Sequence, residues 1–188
     1  MNAEEVLKLF RETDALLDGH FLLRSGLHSR QFFQCAMLLQ YPSVASRINE
    51  ELAAKVKGIA SDSVISPAMG GILVGHDLAR YLDRRHIFAE KDQGMLKIRR
   101  FEVRPGETFL VAEDVVTTGS AVKETCALVR QAGGVVKAVA TIVDRSGDLT
   151  PDFGVPFFSL LKMEVETFSA DQLPDDLKDS PAIKPGSK

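Results

Sequence analysis

Residues 108–125, TFLVAEDVVTTGSAVKET, constrain the fold more than any other stretch of the chain. Phe109, Leu110, Val111 and Ala112 form a short, unbroken apolar run, the pattern of a strand buried on both faces in a parallel sheet. Ala121, Val122, Cys126 and Val129 then recur at helical spacing. Between strand and helix stand two acids, Glu113 and Asp114, then Val115, Val116, Thr117, Thr118, Gly119 and Ser120. The unit is strand, loop and helix start, with carboxylates where the apolar run stops.

Two carboxylates at a strand's carboxyl edge are costly unless something uses them. A helix N-terminus presents unpaired N–H groups and the positive end of a dipole, so it suits a phosphate. Thr117, Thr118 and Ser120 add hydroxyl donors, and Gly119 lets the backbone approach closely. An anion cradle beside an anionic pair fits a sugar phosphate, with phosphate in the cradle and hydroxyls on the acids. Thr-Thr-Gly-Ser alone is also explained by a capped helix after a strand, with the acids solvated. The adjacent acids favour a ligand. The stretch is not a P-loop, because no G-x-x-x-x-G-K-[ST] is present.

Around this unit, strands and helices alternate from Ser63 to Val143, which predicts an α/β chain with a central parallel sheet flanked by helices. Helices are expected over 3–13 and 42–58 and from the Pro67-Ala68-Met69-Gly70-Gly71 turn through Leu82. Core strands are expected over 63–66, 86–89, 109–112, 135–143 and, at an edge, 157–161. Two earlier strands, 21–23 and 31–35, are expected to form a small antiparallel N-terminal hood. The paired glycines at 70–71 suggest either close approach to something bulky or tight helix packing. Lys91, Lys97, Arg99 and Arg100 make residues 90–100 either a solvated hairpin or a mobile basic lid over a polyanion. The expected organisation is a single domain over 1–188: hood at about 1–40, core at about 41–165 and a loosely ordered tail over 169–188.

Composition narrows the function. A net charge of −3 gives no basic footprint for nucleic acid. No apolar run reaches transmembrane length, and the acidic, amphipathic N-terminus is not a signal peptide, so a cytoplasmic protein is expected. Cys35 and Cys126 are far apart, without metal-ligand spacing, and read as buried thiols.

Residues 111–121, VAEDVVTTGSA, resemble the phosphoribosyl-pyrophosphate signature of type I phosphoribosyltransferases: an apolar strand, two acids, two apolar residues and a Thr/Gly/Ser phosphate loop. Leu23-Arg24-Ser25-Gly26-Leu27-His28-Ser29-Arg30-Gln31-Phe32-Phe33 resembles the hood of orotate phosphoribosyltransferases, with Arg24 where that family more often has Lys. The resemblance implies the type I phosphoribosyltransferase fold. It implies transfer of phosphoribose from 5-phospho-α-D-ribose 1-diphosphate to orotate, giving orotidine 5′-monophosphate and diphosphate in de novo pyrimidine (UMP) biosynthesis.

By the same resemblance Glu113, Asp114 and Lys91 serve catalysis. Arg24, Lys91, Glu113, Asp114 and Val115 through Ala121 bind the diphosphate donor. Phe32, Phe33, Thr117 and Arg145 bind orotate, with Arg145 pairing its carboxylate; without the resemblance, Arg145 is a surface residue paired with Asp144. Ala68, Gly70 and Gly71 would handle the pyrophosphate. Mg²⁺ is expected, held through substrate oxygens rather than by a protein ligand set. A homodimer with shared active sites is implied, in which the basic segment reaches the neighbouring subunit. The family's Lys-x-His-Gly is missing from that segment, and only Lys91 matches cleanly. Two alternatives are a purine phosphoribosyltransferase, which shares the central motif, and a non-catalytic donor-sensing regulator.

Overall fold

A computed structural model describes residues 1–23, 25–147 and 150–184. The elements run in chain order: α1 (Ala3–Glu12), β1 (Leu16–Leu22), β2 (His28–Phe33), α2 (Cys35–Leu39), α3 (Pro42–Val56), β3 (Ser63–Pro67), α4 (Gly70–Leu82) and β4 (Arg85–Asp92). There follow β5 (Met95–Lys97), β6 (Thr108–Val116), α5 (Ser120–Gln131), β7 (Val135–Asp144), β8 (Phe157–Lys162), β9 (Thr167–Phe168) and α6 (Asp175–Lys178).

Six strands form the main sheet in the order β5-β4-β3-β6-β7-β8. All its pairings are parallel except that of β5 with β4. Side chains alternate across a strand, so β6 feeds both faces. Leu110 and Ala112 join one core with Val74 and Leu78 of α4 and Ile48 and Leu52 of α3. Phe109 and Val111 join the other with Val122, Cys126 and Val129 of α5. Burial on both faces is why these strands read as continuous apolar runs.

The chain leaves β3 toward β4 on one side and returns to place β6 on the other. The helix after β3 covers one face and the helix after β6 covers the opposite face. The β3–β6 boundary is therefore a topological switch point, and a crevice opens beyond the carboxyl ends of these strands.

The hood is a second sheet, ordered β1-β2-β9, and it differs from expectation in three ways. Its first strand begins at Leu16, and its second ends at Phe33 because Cys35 starts the short helix α2. Helix α1, placed with the hood from sequence, buries Val6 and Phe10 in the main core. Its boundary follows from chemistry: Asn2 and Glu5 make a reciprocal capping box.

The third hood strand, β9, precedes the tail over 169–188 that was expected to be loosely ordered, and contacts reach into that tail as well. Arg30 makes a bidentate fork with Asp176 (both bonds 2.8 Å) and reaches Glu166 at 2.7 Å. The Ile183 N–H donates to the His20 carbonyl at 2.8 Å, Leu177 is buried, and His20 Nδ1 lies 2.8 Å from the Ser180 carbonyl oxygen. The described part of the tail is thus docked by backbone pairing and charge-assisted bonds. Among the described residues no helix is long and apolar enough to cross a membrane.

Candidate active site

Strand β6 delivers both acids to the crevice. The sequence suggested a strand ending at Ala112, but β6 continues through Val116, so Glu113 and Asp114 stand on regular backbone. Glu113 is level with Thr141 of β7, whose hydroxyl donates to the Asp114 carbonyl at 3.0 Å. The acids are held by a ladder rather than by a loop.

Glu113 is 8% exposed, and its Oε1 accepts the Asp114 N–H at 3.0 Å. Asp114, half-buried, accepts the Val115 N–H through Oδ1 at 2.9 Å. Neither carboxylate is in an ion pair among the described residues. Burial holds the pKa of Glu113 well above the ordinary carboxylate range, and the adjacent charge of Asp114 pushes it the same way.

The glycines at 70–71 now have a reason. A Cβ on Gly70 would stand 2.2 Å from Asp114 Oδ2, and one on Gly71 would stand 2.8 Å from Glu113 Oε1. The bulky neighbour is therefore the chain's own acid pair. The N-terminal end of α4, which has no side-chain cap, abuts these carboxylates and places its positive dipole end there.

Beyond Val116 the turn 117–120 leads into α5. Glu113 and residues 115–122 line a cleft of about 150 Å³, the volume of about five waters at ~30 Å³ each. Thr117, Thr118 and Ser120 are exposed at its mouth. Thr118 Oγ1 accepts the Ser120 N–H at 3.4 Å and donates to Ser120 Oγ at 3.2 Å, both long contacts that an incoming anion can replace. The N-cap of α5 is Gly119, which has no side chain to cap the first N–H groups.

Gly119 sits at φ +72°, and an added Cβ would meet Pro151 Cγ at 2.8 Å and Phe153 Cε1 at 3.0 Å. Gly119→Ala is therefore expected to destabilise the chain by at least about 1–2 kcal/mol, roughly 2–8 °C in Tm. Phosphate affinity should fall further, because the cradle itself must move. Thermal unfolding with and without inorganic phosphate checks both, and an unchanged phosphate-induced Tm shift would contradict this role for the turn.

Arg145 follows β7, and its N–H donates to the Val116 carbonyl at 2.7 Å, which keeps it beside the end of β6. Asp144 does not pair with it: its Oδ1 accepts the Ser146 N–H (2.9 Å) and hydroxyl (2.6 Å). Arg145 makes no ion pair among the described residues, its Nε is buried without an acceptor, and burial lowers its pKa. The guanidinium carbon lies 5.8 Å from the centre of the Phe33 ring. Phe33 is 7% exposed and leans on Phe10 at 4.7 Å, so little of its ring is left for a ligand. Phe32 is half-buried and lies against Phe21 at 5.7 Å.

The basic segment is a hairpin. Lys91 pairs with Leu96 across β4 and β5, and the turn is made by Gln93 and Gly94, both at positive φ. Leu96 is buried, and its N–H donates to Glu124 Oε1 of α5 at 2.7 Å. Lys97 is paired with Asp92 (2.8 Å) and Arg100 with Glu90 (2.9 Å). Of the two expected alternatives, a solvated hairpin or a mobile lid, the structure shows the hairpin: an extension of the sheet whose own acids take two of its bases. Lys91 and Arg99 are exposed and make no ion pair among the described residues, and no ion pair joins Lys91 to Glu113 or Asp114. Arg24, expected to contact the donor, lies outside the described residues.

Sequence inspection did not single out Thr141, Pro151 or Phe153. Each supports the site from more than 25 residues away, and none carries a local motif.

Comparison with known proteins gives the family to which this chain is similar. The model of the phosphoribosyl transferase domain matches residues 36–171. An orotate phosphoribosyltransferase of Heliobacterium modesticaldum is 50% identical, the match covering all of both chains. Among solved structures, an orotate phosphoribosyltransferase from Aeropyrum pernix superposes with a TM-score of 0.72 at 25% identity, over 84% of this chain and 93% of that one. An adenine phosphoribosyltransferase from Thermoanaerobacter pseudethanolicus shares the fold alone, with a TM-score of 0.64 at 21% identity over 71% of this chain and 88% of that one. The purine enzyme shares the architecture, whereas the full-length identity lies with the pyrimidine one: the chain belongs to the phosphoribosyl transferase domain family, among the orotate phosphoribosyltransferases.

Proposed function

We propose that the chain transfers phosphoribose from 5-phospho-α-D-ribose 1-diphosphate to orotate, forming orotidine 5′-monophosphate and diphosphate. The observation that carries this is Arg145, a partly buried guanidinium with an orphaned Nε and no counter-ion among the described residues, beside the acid-bearing strand. A buried cation without a partner is costly unless a ligand supplies the anion. Orotate brings a carboxylate that a guanidinium fork binds in bidentate fashion. Adenine and hypoxanthine bring none.

In this reading the N–H groups and hydroxyls of residues 117–121 hold the 5′-phosphate. Asp114 and Glu113 hold ribose hydroxyls and face the positive charge that develops on the ribose ring as its anomeric C–O bond breaks. Glu113, which keeps its proton to higher pH, can donate as well as accept a hydrogen bond. Fixing the sugar this way supplies orientation and electrostatic stabilisation without reorganisation. Orotate can ionise at its ring nitrogen, so no side chain is needed as a strong base. Thr117 and Phe32 are the remaining candidates to contact the pyrimidine, and Lys91, with Arg99, to meet the diphosphate.

The residues fit magnesium in one way. Among the described residues no three His, Cys, Asp or Glu gather as a ligand set. The half-buried Asp114 beside Glu113 suits a hard ion held mostly by substrate oxygens and water. When bound, such an ion would neutralise charge on the departing diphosphate. A homodimer with shared active sites is part of the proposal, since Lys91 and Arg99 on the hairpin are exposed and make no ion pair among the described residues, as is a cytoplasmic setting.

Incubating the protein with the donor, Mg²⁺ and orotate should consume orotate absorbance and yield orotidine 5′-monophosphate. Adenine, hypoxanthine and xanthine should not be turned over. Turnover of a purine in preference to orotate would contradict the proposal, and donor binding with no turnover on any base would favour a sensing protein.

A further inference from the structure

Phe33 stands in a stack that begins far from the crevice. Phe10 of α1 is fully buried, and its ring centre lies 4.7 Å from that of Phe33, the planes tilted by 36°. The backbone of Phe33 is fixed opposite Leu16 in the hood. The Arg145 guanidinium carbon lies 5.8 Å from the centre of the same ring. A cation at this distance is attracted by the ring's quadrupole, and more strongly where water is excluded.

Arg145 needs such a support. Its side chain has no carboxylate partner among the described residues, because Asp144 is engaged by Ser146. Its Nε finds no acceptor. The backbone bond to Val116 fixes the main chain of Arg145 but not the plane of its guanidinium. The guanidinium carbon lies over the Phe33 ring. The strand alternation that places Phe33 here sends Phe32 toward Phe21 instead.

We infer that Phe33 is a positioning residue: backed by Phe10, its ring face holds the Arg145 guanidinium at the angle at which its fork meets the carboxylate of the pyrimidine substrate. The inference rests on the orotate reading above. It assigns Phe33 a role through Arg145 rather than against the base. It also makes the preference for a carboxylate-bearing pyrimidine over an uncharged one depend on a hood residue.

The test grades the ring without changing its shape. Phenylalanines with one, two and five ring fluorines are incorporated at position 33, each step weakening the negative ring face. KM for orotate should rise stepwise, by about tenfold at the end of the series. The preference for orotate over uracil should fall in step, while KM for the diphosphate donor and the Tm stay unchanged. Phe33→Leu should show the same orotate-specific defect, and Phe33→Tyr should restore wild-type values. If the leucine variant does not fold, the fluorinated series decides alone. A flat series in an active protein, or one in which both KM values rise together, overturns this inference alone. A wild-type chain that does not use orotate removes the inference together with the function it rests on.

Discussion

Asp114→Asn lowers kcat by about 100- to 1,000-fold, the range seen when one preorganised electrostatic partner of a transition state is removed, and leaves the fold intact. The asparagine oxygen can still accept the Val115 N–H that Asp114 Oδ1 accepts at 2.9 Å, and the backbone bond from Thr141 is untouched. What disappears is the charge that, in the proposed reading, faces the ribose. Steady-state kinetics and thermal unfolding of the same preparation check the two halves.

Glu113 is expected to behave differently. In the folded chain it keeps its proton to higher pH than in the unfolded chain, because burial and Asp114 both oppose its ionisation. The folded state then binds more protons between the two pKa values, so stability falls as pH rises through that window. Glu113→Gln removes this loss and keeps an oxygen for the Asp114 N–H. The variant should be the more thermostable at about pH 8, with a gain that shrinks as pH falls and is gone by about pH 3, below the ordinary glutamate pKa of about 4.3, where wild-type Glu113 is protonated in both states. Turnover should fall despite the gain in stability, as expected where an active site is held in an unfavourable arrangement.

The second large effect is on orotate. Arg145→Ala should raise KM for orotate by roughly 30- to 150-fold, about 2–3 kcal/mol for losing a charge-assisted bidentate contact. KM for the diphosphate donor should change little, since the phosphate turn lies on a different loop. Removing Arg145 also removes an uncompensated buried N–H, so the variant should be no less stable than wild type. An equal rise in both KM values would mean that Arg145 supports the site as a whole rather than the carboxylate. Arg145→Lys should recover only part of the affinity, because a point charge lacks the fork.

The strand–turn–helix unit and the place of its acids were legible because their pattern is local. A cradle of backbone N–H groups has to be built from consecutive residues, and Thr117 to Ser120 stand directly between strand and helix. The alternation of apolar runs gave the parallel sheet for the same reason. The tail was not legible, because Arg30 finds Asp176 at a separation of 146 residues and the polar composition of the tail gives no hint of a partner. Residues 90–100 gave both a lid and a hairpin. Gln93-Gly94, both at positive φ, chose the hairpin, with Lys97 and Arg100 taken by their own neighbours. The length of β6 was misjudged because carboxylates rarely stand within a buried strand, and the close approach of Gly70 and Gly71 shows how these are accommodated. Phe33 was read as a surface for the base, and its packing was not foreseen: the ring is 7% exposed, 4.7 Å from that of Phe10 and 5.8 Å from the Arg145 guanidinium carbon.

The central claim is that Glu113 and Asp114 hold the sugar whose phosphate sits in the turn just after them. A crystal of the protein grown with ribose 5-phosphate tests it most directly. The account predicts the phosphate on the backbone N–H groups of residues 118–121, and the two ribose hydroxyls within hydrogen-bond distance of the carboxylates at 113 and 114. Phosphate bound elsewhere, or an empty turn with both carboxylates directed away from it, would contradict the account.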